Sequence, residues 1–147
     1  MIQWHHEKER KKNMVKLLLL SHGNLCMEMV ETAKLILGDV ECLHYIPMPS
    51  GIDLARYKEN IRTEINESSN GILILVDLFG GTPFMTTSMI VGEGGNKTDI
   101  EIVTGMNLPM VLQLVTSLEN KTLLELKEIA LESGKEGISE LTKVFDN

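Results

Sequence analysis

The chain has 147 residues, 43% of them hydrophobic and 24% charged, with a formal net charge of −7. That length suits one domain with a substantial core, and no apolar run approaches the roughly 20 residues that cross a bilayer. The acidic balance disfavours nucleic acid or an anionic membrane surface as a direct partner, because either would be repelled on average, and leaves a small molecule or another protein.

Residues 1–13 are charged and aperiodic and predict a mobile extension ahead of a single domain over 14–147. Residues 15–20, apolar except for Lys16, then read as a buried strand. From residue 25 to 37 the period becomes helical, with Cys26, Met29, Val30, Ala33, Ile36 and Leu37 on one face and Gly38 as the stop. A second β-rich run covers 40–46, and the loop PMPSG at 47–51 leads to an amphipathic helix marked by Leu54, Tyr57, Ile61 and Ile65.

Turn residues at 66–71 precede ILILV at 72–76, the clearest buried strand in the chain, and Asp77 follows directly. The stretch LFGGTPF at 78–84 opens a helix to about residue 91, with Thr82 expected as N-cap and Pro83 at the first helical position. A GEGGNK loop at 92–97 comes before a strand at 100–103. TGMNLP at 104–109 opens a helix to about 118, and 121–133 form another. Residues 138–145 fit a final strand or a helical turn equally well. Four strands alternating with helices predict a doubly wound α/β fold, with a mainly parallel four-stranded sheet covered on both faces.

In such a sheet ligands bind beyond the carboxyl ends of the strands. Three loops fall on that edge, at 21–24, 77–82 and 104–108, each with a glycine at a helix entrance where free N–H groups favour an anion such as phosphate. His22 is the one side chain among them that is both nucleophilic and titrates near neutrality. Asp77 stands at the matching height to hydrogen-bond its Nδ1 and leave Nε2 outward. Gly80 and Gly81 leave the backbone open to an approaching group, with the Thr82 hydroxyl at the same helix start and Ser21 and Gly23 flanking the histidine.

Neither a GxxxxGK[ST] phosphate loop nor a GxGxxG fingerprint is present, so nucleoside triphosphate hydrolysis and dinucleotide binding are unsupported. A Ser21–His22 hydrolase is disfavoured because adjacent strand residues point apart. A metal site built from His22, Cys26, Cys42 and His44 is the competing chemistry, but it lacks a Cys-x-x-Cys pair, and buried cysteine is commonly core. No metal or other cofactor is expected. Two cysteines and no secretory signal pattern point to a reducing cytoplasm.

LSHG at 20–23, LVDLFGGTPF at 75–84, GMNLPM at 105–110 and ESGKEG at 132–137 together resemble the enzyme IIA component of the mannose-type sugar phosphotransferase system, over about residues 15–141. The resemblance implies a phosphoryl relay. His22 would accept a phosphoryl group from the phosphohistidine of HPr and pass it to a IIB component, serving the membrane IIC and IID components indirectly. It carries the family's orienting aspartate onto Asp77 and the hydroxyl of a GGSP-like motif onto Thr82. It also implies a homodimer in which a C-terminal strand, starting within 138–145, is exchanged. The phosphotransfer subunit of a dihydroxyacetone kinase and a non-catalytic regulator of the same fold are the alternatives.

Overall fold

Successive side chains of a strand face opposite sides of its sheet, so a strand that is apolar throughout must be covered on both faces. The computed structural model, which describes residues 1–146, has that arrangement. In chain order its elements are α1 (Ile2–Lys12), β1 (Lys16–His22), α2 (Leu25–Leu37), β2 (Leu43–Met48), α3 (Leu54–Asn66), β3 (Ile72–Val76), α4 (Thr82–Glu93), β4 (Ile100–Thr104), α5 (Leu108–Ser117), α6 (Leu123–Glu136) and α7 (Leu141–Phe145).

The four strands form one parallel sheet in the order β2-β1-β3-β4. Leu17, Leu19, Leu73, Leu75 and Val103 face one side and pack with Cys26, Val30 and Ala33 of α2, Met110, Val111 and Leu114 of α5, and Leu126 and Ala130 of α6. Leu18, Leu20, Ile72, Ile74 and Val76 face the other and meet Tyr57, Ile61 and Ile65 of α3 and Ile90 of α4. The expected doubly wound α/β sheet is therefore observed. Its order reverses between β1 and β3, because the chain leaves β1 towards β2 and then returns past it to β3. In doubly wound sheets the connecting loops diverge to opposite faces at such a switch point, which is where ligands commonly bind.

Both ends of the second strand and both ends of α6 differ from expectation. The second strand starts later and runs to Met48, since Leu43 N–H closes a turn on the Val40 carbonyl, and Pro47 is tolerated because β2 is an edge strand. Helix α6 starts at a capping box in which Thr122 and Glu125 satisfy each other's backbone N–H groups. It continues through Gly134 because that glycine is a packing position, where a Cβ would stand 2.7 Å from Met110 Cε.

The segment expected as a mobile extension is helical over Ile2–Lys12, with none of its residues buried. Ion pairs of Arg10 with Glu119 and of Lys11 with Glu41 link it to the domain. At the other end, residues Leu141–Phe145 take the helical alternative and not the strand. Among the described residues no helix is long and apolar enough to cross a membrane.

Candidate functional site at the switch point

His22 is the last residue of β1, and Asp77 follows the last residue of β3. The register pairs Leu20 with Val76, and Asp77 N–H donates to the Leu20 carbonyl at 3.2 Å, so the strand ladder itself carries both side chains to one height. Asp77 Oδ2 lies 3.0 Å from the His22 backbone nitrogen and 2.9 Å from its Nδ1. A carboxylate only accepts, so the ring hydrogen belongs on Nδ1 and the Nε2 lone pair is free. The imidazole is 42% exposed while the carboxylate is only 12% exposed. The base of the pair is buried and its tip is open.

Gly23, at φ +54°, turns the chain out of β1 in the left-handed region and bridges to Met48 through N–H···O bonds of 2.8 and 3.2 Å. Gly81 acts differently. Its backbone is ordinary extended chain at φ −74°, but a Cβ there would lie 2.5 Å from His22 Cε1 and 3.1 Å from Nε2. The imidazole thus rests against bare backbone at the start of α4.

Helix α4 begins one residue earlier than expected. Gly81, not Thr82, is the N-cap, and Thr82 is the first helical residue. The helix's first backbone bond runs from Met85 N–H to the Gly81 carbonyl. That leaves the N–H groups of Thr82 and Phe84 ahead of the ladder, while Pro83 has none to satisfy. Thr82 and Gly80 are exposed. The positive end of α4 therefore opens beside Nε2, and no lysine or arginine stands in the loops 21–24, 77–82 or 104–108.

Two polar side chains at this edge serve the fold. Ser21, beside the histidine in sequence, is fully buried, and its Oγ accepts the Cys26 N–H at 2.8 Å. Strand alternation turns it to the side opposite His22, where it satisfies the second residue of α2 in place of the Asn24 side chain, which makes no capping bond. The third loop is structural as well. Asn107 accepts from Met110 N–H at 3.1 Å and donates to the Gly134 carbonyl at 2.9 Å, tying α5 to α6. The ESGKEG stretch is the other half of that joint, since a Cβ at Gly137 would lie 2.6 Å from Pro109 Cγ.

The competing metal ligands do not converge, and no group of three or more histidine, cysteine or acidic side chains among the described residues is placed to hold an ion. Burial pushes the Cys26 and Cys42 thiols up, which keeps them protonated and poor ligands. His44 lies 3.8 Å from Glu64 instead. Sequence reading overlooked Leu78 and Phe79, both exposed in the same loop as Asp77. Phe79, 73% exposed, rests on Phe84 at a ring separation of 4.7 Å. An apolar pair inside a glycine-rich loop, outside any strand or helix period, was the available signal.

The family model for the PTS system fructose IIA component matches residues 16–131, a span containing every residue of this site. The chain belongs to that family. It is 28% identical over 130 residues to the PTS system mannose-specific EIIAB component of Escherichia coli (strain K12), covering 86% of this chain and 39% of that protein. The chain thus spans about two fifths of the length of that relative. It is 24% identical over 115 residues to the PTS system fructose-specific EIIA component of Bacillus subtilis (strain 168), covering 77% of each. A solved EIIA phosphotransferase component from Streptococcus agalactiae superposes with a TM-score of 0.79 at 26% identity, covering 88% of this chain and 99% of that one.

Proposed function

We propose that this IIA chain is a phosphoryl carrier of a sugar phosphotransferase system, in which His22 Nε2 takes a phosphoryl group from phospho-HPr and delivers it to a IIB component. The observation that carries the reading is the 2.9 Å contact of Nδ1 with Asp77, which leaves Nε2 bare beside the N-terminus of α4. In the first transfer the Nε2 lone pair forms the new N–P bond, and the electrons of the donor's N–P bond return to the donor's ring. His22 keeps its hydrogen on Nδ1 and becomes a phosphorylated cationic ring, whose positive charge faces the Asp77 carboxylate. In the second transfer the electrons of the His22 N–P bond return to that ring, which departs as neutral imidazole; without the Nδ1 hydrogen it would have to depart as an anion.

Phosphoryl transfer asks chiefly for alignment and charge stabilisation. We assign the N–H groups of Thr82 and Phe84, with the Thr82 hydroxyl, to the equatorial oxygens, and Gly80, Gly81 and Gly23 to keeping the approach clear. Neutral donors stabilise the phosphoryl group moderately, as a relay that must release it requires. Ser21 supports the site only by anchoring α2. The membrane IIC and IID components are the indirect beneficiaries, and the cytoplasm is the compartment. The exposed Ile138, Leu141 and Phe145 support a homodimer joined through the C-terminal segment, and a sedimentation experiment finding only monomer at micromolar concentration would refute the dimer.

Incubation with phosphoenolpyruvate, enzyme I and HPr, followed by intact-mass measurement, tests the relay. Wild type should gain one acid-labile phosphoryl group and His22→Ala none. A wild type that stays unmodified, or a His22→Ala protein modified as readily, would sink the reading.

A further inference from the structure

Two buried side-chain atoms among the described residues have no hydrogen-bond partner, the phenolic oxygen of Tyr57 and Oδ1 of Asp77. Such groups are uncommon, and each bears a desolvation cost when left unpaired. They are not unrelated. Tyr57 is the fourth residue of α3, whose N-terminus follows the carboxyl end of β2, so its turn lies at the same sheet edge as His22 and Asp77. Its ring is wholly buried in the apolar cluster that also holds Leu20 and Val76, two residues before His22 and one before Asp77. Burial pushes the phenol well above its ordinary range, and the Asp77 carboxylate pushes it further the same way. Tyr57 therefore keeps its hydrogen and is fit to donate, while the carboxylate can only accept.

We propose that Tyr57 is a positioning residue for phosphoryl transfer at His22, its phenolic O–H reaching Asp77 Oδ1 across one bridging water. The proposal rests on the relay described above. Asp77 Oδ2 already accepts from both the backbone and the ring of His22, so that oxygen is pinned while the carboxylate plane can still pivot about it. A donor at Oδ1 stops the pivot. It also spreads the carboxylate charge over two hydrogen-bonded oxygens, so the aspartate orients the ring without taking its hydrogen.

The competing role for Tyr57 is that of a bulky core residue with an idle hydroxyl. Tyr57→Phe separates the two because it removes only the oxygen. If Tyr57 positions Asp77, the variant should shift or broaden the His22 ring signals in ¹⁵N NMR. It should also slow phosphorylation roughly three- to tenfold, the effect of losing one net hydrogen bond. In an Asp77→Asn background the same substitution should then change neither ring signals nor rate, because the acceptor's charge and orientation are already altered. The proposal is overturned if Tyr57→Phe raises the melting temperature with ring signals and rate untouched, or if its effect adds in full to that of Asp77→Asn. The ring measurement needs no phosphoryl donor. A wild type that accepts no phosphoryl group would defeat the relay, while shifted ring signals in the same preparation would still support the link from Tyr57 through Asp77 to His22.

Discussion

Gly81→Ala tests the site by adding one methyl group. The backbone at φ −74° and ψ 172° accepts alanine, and loss of unfolded-chain entropy at a compatible glycine is worth about 0.4–1 kcal/mol in favour of the fold. The obstacle is space. The new carbon would stand 2.5 Å from His22 Cε1, whereas carbon atoms in contact settle at about 3.5–4.0 Å, so the ring must retreat by about 1 Å or more. In a closed core such overpacking costs about 1–3 kcal/mol. Here the imidazole is 42% exposed and can swing outward, which relieves most of that strain. What the swing sacrifices is geometry, because the 2.9 Å bond from Nδ1 to Asp77 lengthens or bends as the ring moves. Net stability should then stay within about 1 kcal/mol of wild type, while a displacement of that size costs on the order of 100-fold in transfer. Stopped-time phosphorylation by phospho-HPr, read by intact mass, measures the rate, and a urea melt measures the stability. Wild-type phosphorylation by a folded Gly81→Ala protein would refute the contact between Gly81 and the working ring.

Two further substitutions probe the support of the site and its surroundings. Ser21→Ala should destabilise the fold by about 1–3 kcal/mol, since the Cys26 N–H loses its buried acceptor, while the folded fraction is phosphorylated at the wild-type rate. A slowed rate with unchanged stability would return Ser21 to the phosphoryl site. The His44 imidazole is held below its ordinary value chiefly by burial and secondarily by Lys16, against the opposing pull of Glu64 and Glu67. The unfolded chain therefore binds the proton more readily, and this contribution to stability is present above about pH 6.5 and declines as pH falls below it. Urea midpoints across that range should fall less steeply for His44→Gln, and identical slopes would remove His44 as the cause.

The four strands and helices α2 to α6 were legible because period alone reveals them, whereas the aperiodic α1 and the short α7 were not. Residues 72–76 are apolar at every position, which implied a strand covered on both faces, and α3 showed its helical stripe at Tyr57, Ile61 and Ile65. Pro47 misled because an edge strand tolerates what a central one does not. Gly134 misled because a glycine required for close helix packing looks, in sequence, like a helix stop.

By itself the sequence determined that a histidine ends the first strand, that an aspartate follows the third, and that a glycine-rich turn opens a helix beside them. Each is a local property, set by neighbours within one turn or one strand. Only the tertiary structure decided which oxygen of Asp77 meets which nitrogen of His22 across a separation of 55 residues. It also decided that Gly81 is bare to admit an imidazole, that Ser21 serves α2, and that Tyr57 comes to the same edge from another helix. These are products of strand register and crossover handedness. Such distances and orientations are undefined until the sheet has formed.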